Sequence, residues 1–252
     1  MLRTRIIPCL QLLDDGLVKT VKFSSPQYIG DPINTVRIFN ELEVDELCFL
    51  DIRATQQKKL PDFKLLKNIA DECFMPLSYG GGINDLKTAE RIFQTGFEKI
   101  ILNTAAYRTP EVLSQIAERY GSQAVIGSID AKRNLLGKYH VYISDGSEKI
   151  KISPVEWAKQ LEKMGAGELL ITSMDKDGTW SGYDTTIIEK ISEAVTIPVI
   201  ANGGAGDIKH FKPAINAKAS ALAIGSMIVY QKKGMGVLIN FPDKSAIAKE
   251  IA

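Results

Sequence analysis

The sequence predicts a (β/α)8 barrel of the TIM type built from two related halves, on two observations. Eight short β-branched or leucine-rich runs alternate with amphipathic stretches along the 252 residues, and features of the first half recur in the second at one fixed spacing. Eight alternations in about 250 residues match a barrel, whereas a doubly wound sheet shows five or six strands and a Gly-rich turn after the first. No such turn follows the first run here.

The predicted strands are Arg5–Leu10, Glu46–Asp51, Pro76–Tyr79, Lys99–Asn103, Ala124–Asp130, Glu168–Thr172, Pro198–Ala201 and Ala221–Gly225, most ending in a polar residue or glycine. Between them, Pro32–Leu42, Asp85–Thr95, Pro110–Tyr120 and Pro154–Met164 read as helices. Three begin with a proline, and Gly96, Gly121 and Gly165 stand just past the last three, the usual punctuation of helix ends. The segment Leu17–Tyr28 after the first strand reads as a long loop able to close over a ligand, with Lys19 in it.

The repeat is specific. Glu46-Leu47 matches Glu168-Leu169, Pro76 matches Pro198, Gly81-Gly82 matches Gly203-Gly204, Thr104 matches Ser226 and Pro32 matches Pro154, each pair 122 residues apart. This predicts one domain over 1–252, with half-barrels of about 1–120 and 121–230 and a C-terminal extension over 231–252.

Composition narrows the function. Lys+Arg (31) nearly balances Asp+Glu (30), so a net charge of +1 gives no basic footprint for nucleic acid and no polybasic membrane patch. No signal peptide or 18-residue apolar run is present, which predicts a cytoplasmic protein. Cys9, Cys48 and Cys73 are widely spaced among apolar residues and read as reduced core thiols, and two histidines make a His-rich metal site an unfavoured reading. No cofactor or metal is expected.

In such a barrel the site lies at the C-terminal strand ends, where backbone amides and helix N-termini hold anions. Gly80-Gly81-Gly82 with Asn103-Thr104 makes one phosphate cradle, and Gly203-Gly204 with Gly225-Ser226 makes a second; Asp177 and Gly178 are assigned beside them. A two-fold arrangement sets the cradles facing each other, so the ligand expected is anionic at both ends. Asp51, Asp130, Asp175 and Asp177 stand at or after strand ends as candidate acid/base groups, Asp130 foremost because an apolar strand releases it at the mouth. Each carboxylate could instead cap a helix or pair with a lysine.

These residues resemble a known family, the cyclase (HisF) subunit of imidazole glycerol phosphate synthase. The matching stretches include Arg5-Ile6-Ile7-Pro8-Cys9-Leu10, Phe49-Leu50-Asp51-Ile52, Gly80-Gly81-Gly82-Ile83, Asn103-Thr104-Ala105-Ala106, Ile129-Asp130-Ala131-Lys132-Arg133, Thr172-Ser173-Met174-Asp175 and Gly203-Gly204-Ala205-Gly206, in order along nearly the whole chain. The resemblance implies a two-fold barrel that takes ammonia from a HisH-type glutaminase docked at its bottom. It combines that ammonia with a doubly phosphorylated ribonucleotide, giving imidazole glycerol phosphate and an aminoimidazole carboxamide ribotide. It implies that Asp130 is a catalytic acid/base with Asp51 nearby, that Lys19 belongs to a mobile lid, and that the cradles hold the two phosphates. It also implies that Arg5, Glu46, Lys99 and Glu168 form a charged ring gating the ammonia path.

Two departures stand out. The family places a second catalytic aspartate after Pro-Cys-Leu, where this chain has Gln11, and a carboxamide exchanges no proton near neutral pH. Only Asp14 or Asp15, on the lid side, could replace it. After Ser226, Gln231 to Pro242 is a glycine-containing, β-like run where the family has a charged amphipathic helix. Both suggest a paralogue similar to those that, with a glutaminase, supply ammonia for amidination of sugars in bacterial surface polysaccharides. A true histidine-pathway cyclase and a non-catalytic activator of the glutaminase are the alternatives.

Overall fold

A computed structural model describes residues 4–251. Eight parallel strands close into a barrel: β1 (Arg5–Leu13), β2 (Leu47–Asp51), β3 (Leu77–Gly80), β4 (Lys99–Leu102), β5 (Val125–Arg133), β6 (Glu168–Ser173), β7 (Val199–Asn202) and β8 (Ala221–Ile224). Neighbours in sequence are neighbours in space, β8 returns to β1 with Ile6 opposite Leu222, and β5 joins β6 with Gly127 opposite Leu169. The predicted fold class is the observed one, with strand ends differing by up to three residues.

The two longest strands exceed their predicted ends for a common reason. Beyond Leu10, β1 pairs antiparallel with Gly16–Val21, which itself pairs with Ser24–Gly30. Beyond Asp130, β5 pairs antiparallel with Tyr139–Ile143. The segment expected as an open loop around Lys19 is therefore a hairpin laid on β1, with Lys22 and Phe23 in left-handed backbone at its turn. The β-branched residues Val18, Thr20 and Val21 are its signal in the sequence.

Helices cover the outside. In α1 (Pro32–Glu41), Asp31 accepts from the Asn34 N–H, and Pro32 occupies the first turn, where its missing donor is harmless. After β2 and β3 come α2 (Phe63–Glu72) and α3 (Leu86–Thr95), capped by Asp62 and Asp85. Next are α4 (Glu111–Tyr120) and α5 (Pro154–Met164), the latter capped by Ser153 and ended by left-handed Gly165. Then follow α6 (Thr185–Ser192) and α7 (Phe211–Asn216). Residues 231–242 carry no helix, only a bridge from Tyr230 to Val237. The extension nevertheless ends in α8 (Lys244–Ile251), which the sequence reading did not expect: Asp243 accepts from the Ala246 N–H and Ile247 is buried. Among the described residues, no helix is long and apolar enough to cross a membrane.

Apolar burial divides into two layers. Strand residues such as Phe49, Tyr79 and Leu102 face outward against Phe39, Ile92 and Leu113 of the helices. Ile7, Cys9, Cys48, Ile101, Ile126, Leu170, Ile200 and Ala223 fill the lumen. Cys9 and Cys48 are buried free thiols whose Sγ atoms are 3.8 Å apart on adjacent strands. The lumen therefore separates a charged floor from a polar mouth.

Candidate functional site

A cavity of about 260 Å³ opens at the C-terminal strand ends. Gln11, Lys19, Asp51, Asp130 and every residue assigned to the two cradles, including Asp177 and Gly178, line it. Asp175 does not: it lies outside the cavity, accepting from the Arg133 N–H at 2.6 Å. Asp14 and Asp15 are also outside the lining, and Asp14 pairs with Lys59 at 2.9 Å, so neither stands in for the missing strand-one carboxylate.

The glycines are where their backbones demand them. At Gly204, φ is +107° and a Cβ would lie 2.1 Å from the Gly182 carbonyl oxygen; at Gly82, φ is +66° and a Cβ would lie 2.6 Å from the Lys59 carbonyl oxygen. Gly204→Ala is expected to lower the free energy of unfolding by more than about 2 kcal/mol. A denaturant midpoint equal to that of the parent would show that the loop shifts freely.

Gln11, Lys19, Thr20 and Asp177 form one network. Thr20 N–H donates to Gln11 Oε1 at 2.9 Å, Gln11 Nε2 donates to Thr20 Oγ1 at 3.1 Å, and Thr20 Oγ1 donates to Asp177 Oδ2 at 2.9 Å. Lys19 Nζ, on a side chain 7% exposed, pairs with Asp177 Oδ1 at 2.8 Å. Lys22 N–H also donates to the Asp177 carbonyl at 3.0 Å, so the hairpin is tied to the loop after β6. The Gln11 carboxamide thus acts as a fastener of that hairpin.

Asp130 lies next to the end of the parallel part of β5, is buried and lines the mouth. Burial, then the charges of Asp145 and Asp177, push its carboxyl up to about 7, against hydrogen bonds from Thr172 and Asn103. Asn103 Nδ2 donates to Asp130 Oδ2 at 3.1 Å. A carboxyl near neutrality can both take and give a proton. Because the folded state holds this proton more tightly than the unfolded chain, the cost of keeping Asp130 grows as pH rises from about 4 to about 7. Asp130→Asn is expected to gain stability over the parent across that window, with about 4 kcal/mol as the upper bound. Unfolding curves at several pH values check this, and a pH-independent difference would refute it.

Asp145 was missed in the sequence, where Ser144-Asp145-Gly146 reads as a turn. The antiparallel excursion off β5 brings it back over the mouth, where it lines the cavity in left-handed backbone at φ 57°. Burial, then the Asp51 charge, raises its carboxyl to about 6, opposed by the Gln56 backbone N–H and Arg53. Its Oδ2 is buried without a hydrogen-bond partner. Asp51 accepts from the Ala54 N–H at 3.1 Å, so it caps a short helix while facing the cavity, and burial raises its pKa.

At the opposite end, the strand starts carry a closed ring. Arg5 bonds Glu46 through Nη1 and Glu168 through Nη2, the latter at 2.7 Å. Lys99 Nζ reaches Glu168 at 2.7 Å and Glu46 at 3.2 Å. Burial opposes the charges of both Arg5 and Glu168, yet their contacts overcome it: Arg5 is held above its ordinary pKa and Glu168 below. Directly above lies a lumen cavity of about 10 Å³ touching Glu46, Ile7, Cys48 and Ser78, room for about one water-sized molecule. Ile101 and Ala223 line both this cavity and the mouth.

The chain is similar throughout to known proteins. The model of the family described as Histidine biosynthesis protein matches residues 5–234. A Pseudomonas aeruginosa protein with the provisional name imidazole glycerol phosphate synthase subunit hisF2 is 48% identical over 244 residues, 96% of this chain and 97% of the relative. A Leptospira interrogans protein, provisionally named imidazole glycerol phosphate synthase subunit HisF, is 46% identical over 97% of each chain. Imidazole glycerol phosphate synthase subunit HisF of Hydrogenobaculum sp. is 40% identical over 250 residues, 99% of this chain and 97% of the relative.

Proposed function

The chain belongs to the histidine biosynthesis protein family, and on that premise we propose that it is a HisF-type barrel subunit that receives ammonia from a HisH-type glutaminase docked beneath the floor. Ammonia crosses the ring of Arg5, Glu46, Lys99 and Glu168, passes the apolar lumen, and emerges beside Asp130. The ring is the observation that carries this reading. Four desolvated charges across a barrel axis are a poor way to gain stability compared with apolar packing, so a gating role accounts for them better. The protein acts in the cytoplasm, where Cys9 and Cys48 remain thiols.

The product is where this chain departs from a histidine-pathway cyclase. Gln11 holds the hairpin and exchanges no proton, which leaves Asp130 without the strand-one acid of the cyclase. We therefore favour the paralogue that supplies ammonia for sugar amidination in surface polysaccharide synthesis. The cyclase reading retains one favourable observation, the near-neutral Asp130.

Titration of the purified barrel with a HisH-type glutaminase tests the proposal. A one-to-one complex with accelerated glutamine hydrolysis, and negligible ammonia-dependent turnover of the doubly phosphorylated ribonucleotide, is the expected result. Failure to bind any such glutaminase would overturn the channel reading, and rapid turnover would restore the histidine-pathway cyclase.

A further inference from the structure

The turn at the end of the antiparallel excursion off β5 carries the wrong residues for a turn in water. Asn134-Leu135-Leu136-Gly137 leads from β5 towards the strand Tyr139–Ile143, and Leu135 and Leu136 are 107% and 93% exposed. The central positions of a tight turn ordinarily hold proline, asparagine, aspartate or serine. The leucines are also fixed outward by the turn itself. The Gly137 N–H donates to the Asn134 carbonyl at 2.9 Å, the Asn134 N–H to the Lys138 carbonyl at 2.9 Å, and the Lys138 N–H to Asn134 Oδ1 at 2.8 Å. β5 runs about 10 Å past Asp130 before this turn, and neither leucine lines the mouth cavity.

Charge around the tip has one sign. Residues 131–140 contain Lys132, Arg133 and Lys138 and no carboxylate, and the exposed Lys149 reaches His140 of the same hairpin at 3.5 Å. Surface cations elsewhere face carboxylates, as Arg37 does Glu72 at 3.0 Å and Lys218 does Glu193 at 2.8 Å. Among the described residues, these four form no ion pair. The carboxylates at the base of the hairpin are engaged: Asp175 accepts from the Arg133 N–H at 2.6 Å, Asp184 accepts from the Tyr139 hydroxyl at 2.8 Å, and Glu148 pairs with Arg108. The net charge of +1 hides this local excess.

Leucine and lysine are under-represented where protein interfaces derive their energy, and aromatic residues and arginine dominate there. An aliphatic tip inside a basic rim instead matches the boundary of an anionic bilayer, which admits apolar side chains and offers phosphates to lysine and arginine. We propose that Leu135 and Leu136 insert into the headgroup boundary of an anionic membrane, with Lys132, Arg133, Lys138 and Lys149 on the lipid phosphates. Tyr28 and Leu60, 69% and 60% exposed on the connections after β1 and β2, lie at the same end of the barrel. The mouth then faces the bilayer, and the floor at the opposite end stays open to a glutaminase. Attachment is independent of the reaction at the mouth.

Sedimentation of the full chain with vesicles is the test. The chain is expected to partition onto vesicles of phosphatidylglycerol and phosphatidylcholine in equal parts, and at least about tenfold less onto phosphatidylcholine alone. Leu135→Ser combined with Leu136→Ser, and separately Lys132→Gln combined with Lys138→Gln, are each expected to weaken partition at least about tenfold. The serine variant changes only exposed positions and is expected to keep the thermal midpoint of the parent. Leu135→Trp is expected to shift its fluorescence to the blue when the mixed vesicles are added. No partition of the parent onto mixed vesicles, equal partition onto phosphatidylcholine, full binding by the serine variant, or an unshifted tryptophan would each overturn the proposal. Self-association of the parent without lipid, abolished in the serine variant, would also overturn it and assign the tip to a second copy of the chain.

Discussion

Glu168→Ala is expected to destabilise the barrel by about 3–5 kcal/mol, because it leaves Arg5 and Lys99 to share Glu46 in a desolvated floor. The side chains of Glu46 and Glu168 are only 10% and 11% exposed, so water cannot replace the missing carboxylate cheaply. Urea unfolding provides the number, and a loss under about 1 kcal/mol would mean that the floor is effectively solvated. Because Glu168 is held below its ordinary pKa, its contribution is present near neutrality and fades as pH falls through the acid range. Replacing all four charges by apolar residues of similar volume should restore much of the stability while shutting off glutamine-dependent chemistry at the mouth. That contrast separates the ring's functional role from its structural one.

Gln11→Asp is expected to raise ammonia-dependent turnover of the doubly phosphorylated ribonucleotide by about 10²–10⁴-fold at saturating substrate, the range ordinarily supplied by a general acid or base. The new carboxylate would face Lys19 and the Thr20 N–H, the partners Gln11 now holds at 3.4 and 2.9 Å. Steady-state kinetics of the variant beside the parent checks this. No gain in kcat would mean that the hairpin cannot spare the contacts of residue 11.

The barrel was legible because local and global signals agree. Asp31-Pro32 and Ser153-Pro154 announce helix starts, and the fixed spacing between Gly81-Gly82 and Gly203-Gly204 announces equivalent strand ends. All the cradle glycines line the mouth, since the close approach that excludes a Cβ at Gly204 is also what lets backbone amides line a cavity. What escaped depends on pairing between distant segments. The hairpin around Lys19 and the return of Asp145 both come from antiparallel strands added to a parallel barrel, and no periodicity in a single segment reveals where such an excursion ends. Helix α8 was hidden because the glycines before it suggested irregular chain, whereas Asp243 starts a helix regardless of what precedes it.

The floor ring also bears on how such a chain avoids pairing with its own copies. Glu46 on the first repeat corresponds to Glu168 on the second, but the strand register makes Ala124 and Ala221 the counterparts of Arg5 and Lys99. Both cations therefore come from β1 and β4, and the second half brings only a carboxylate. Two copies of the first half, closed against each other, would crowd four cations around two carboxylates; two copies of the second would bury carboxylates with no counter-ion. Only the first half joined to the second is electrically neutral. An internally duplicated barrel is prone to domain swapping, and this asymmetry penalises each symmetric mispairing while leaving the correct closure intact.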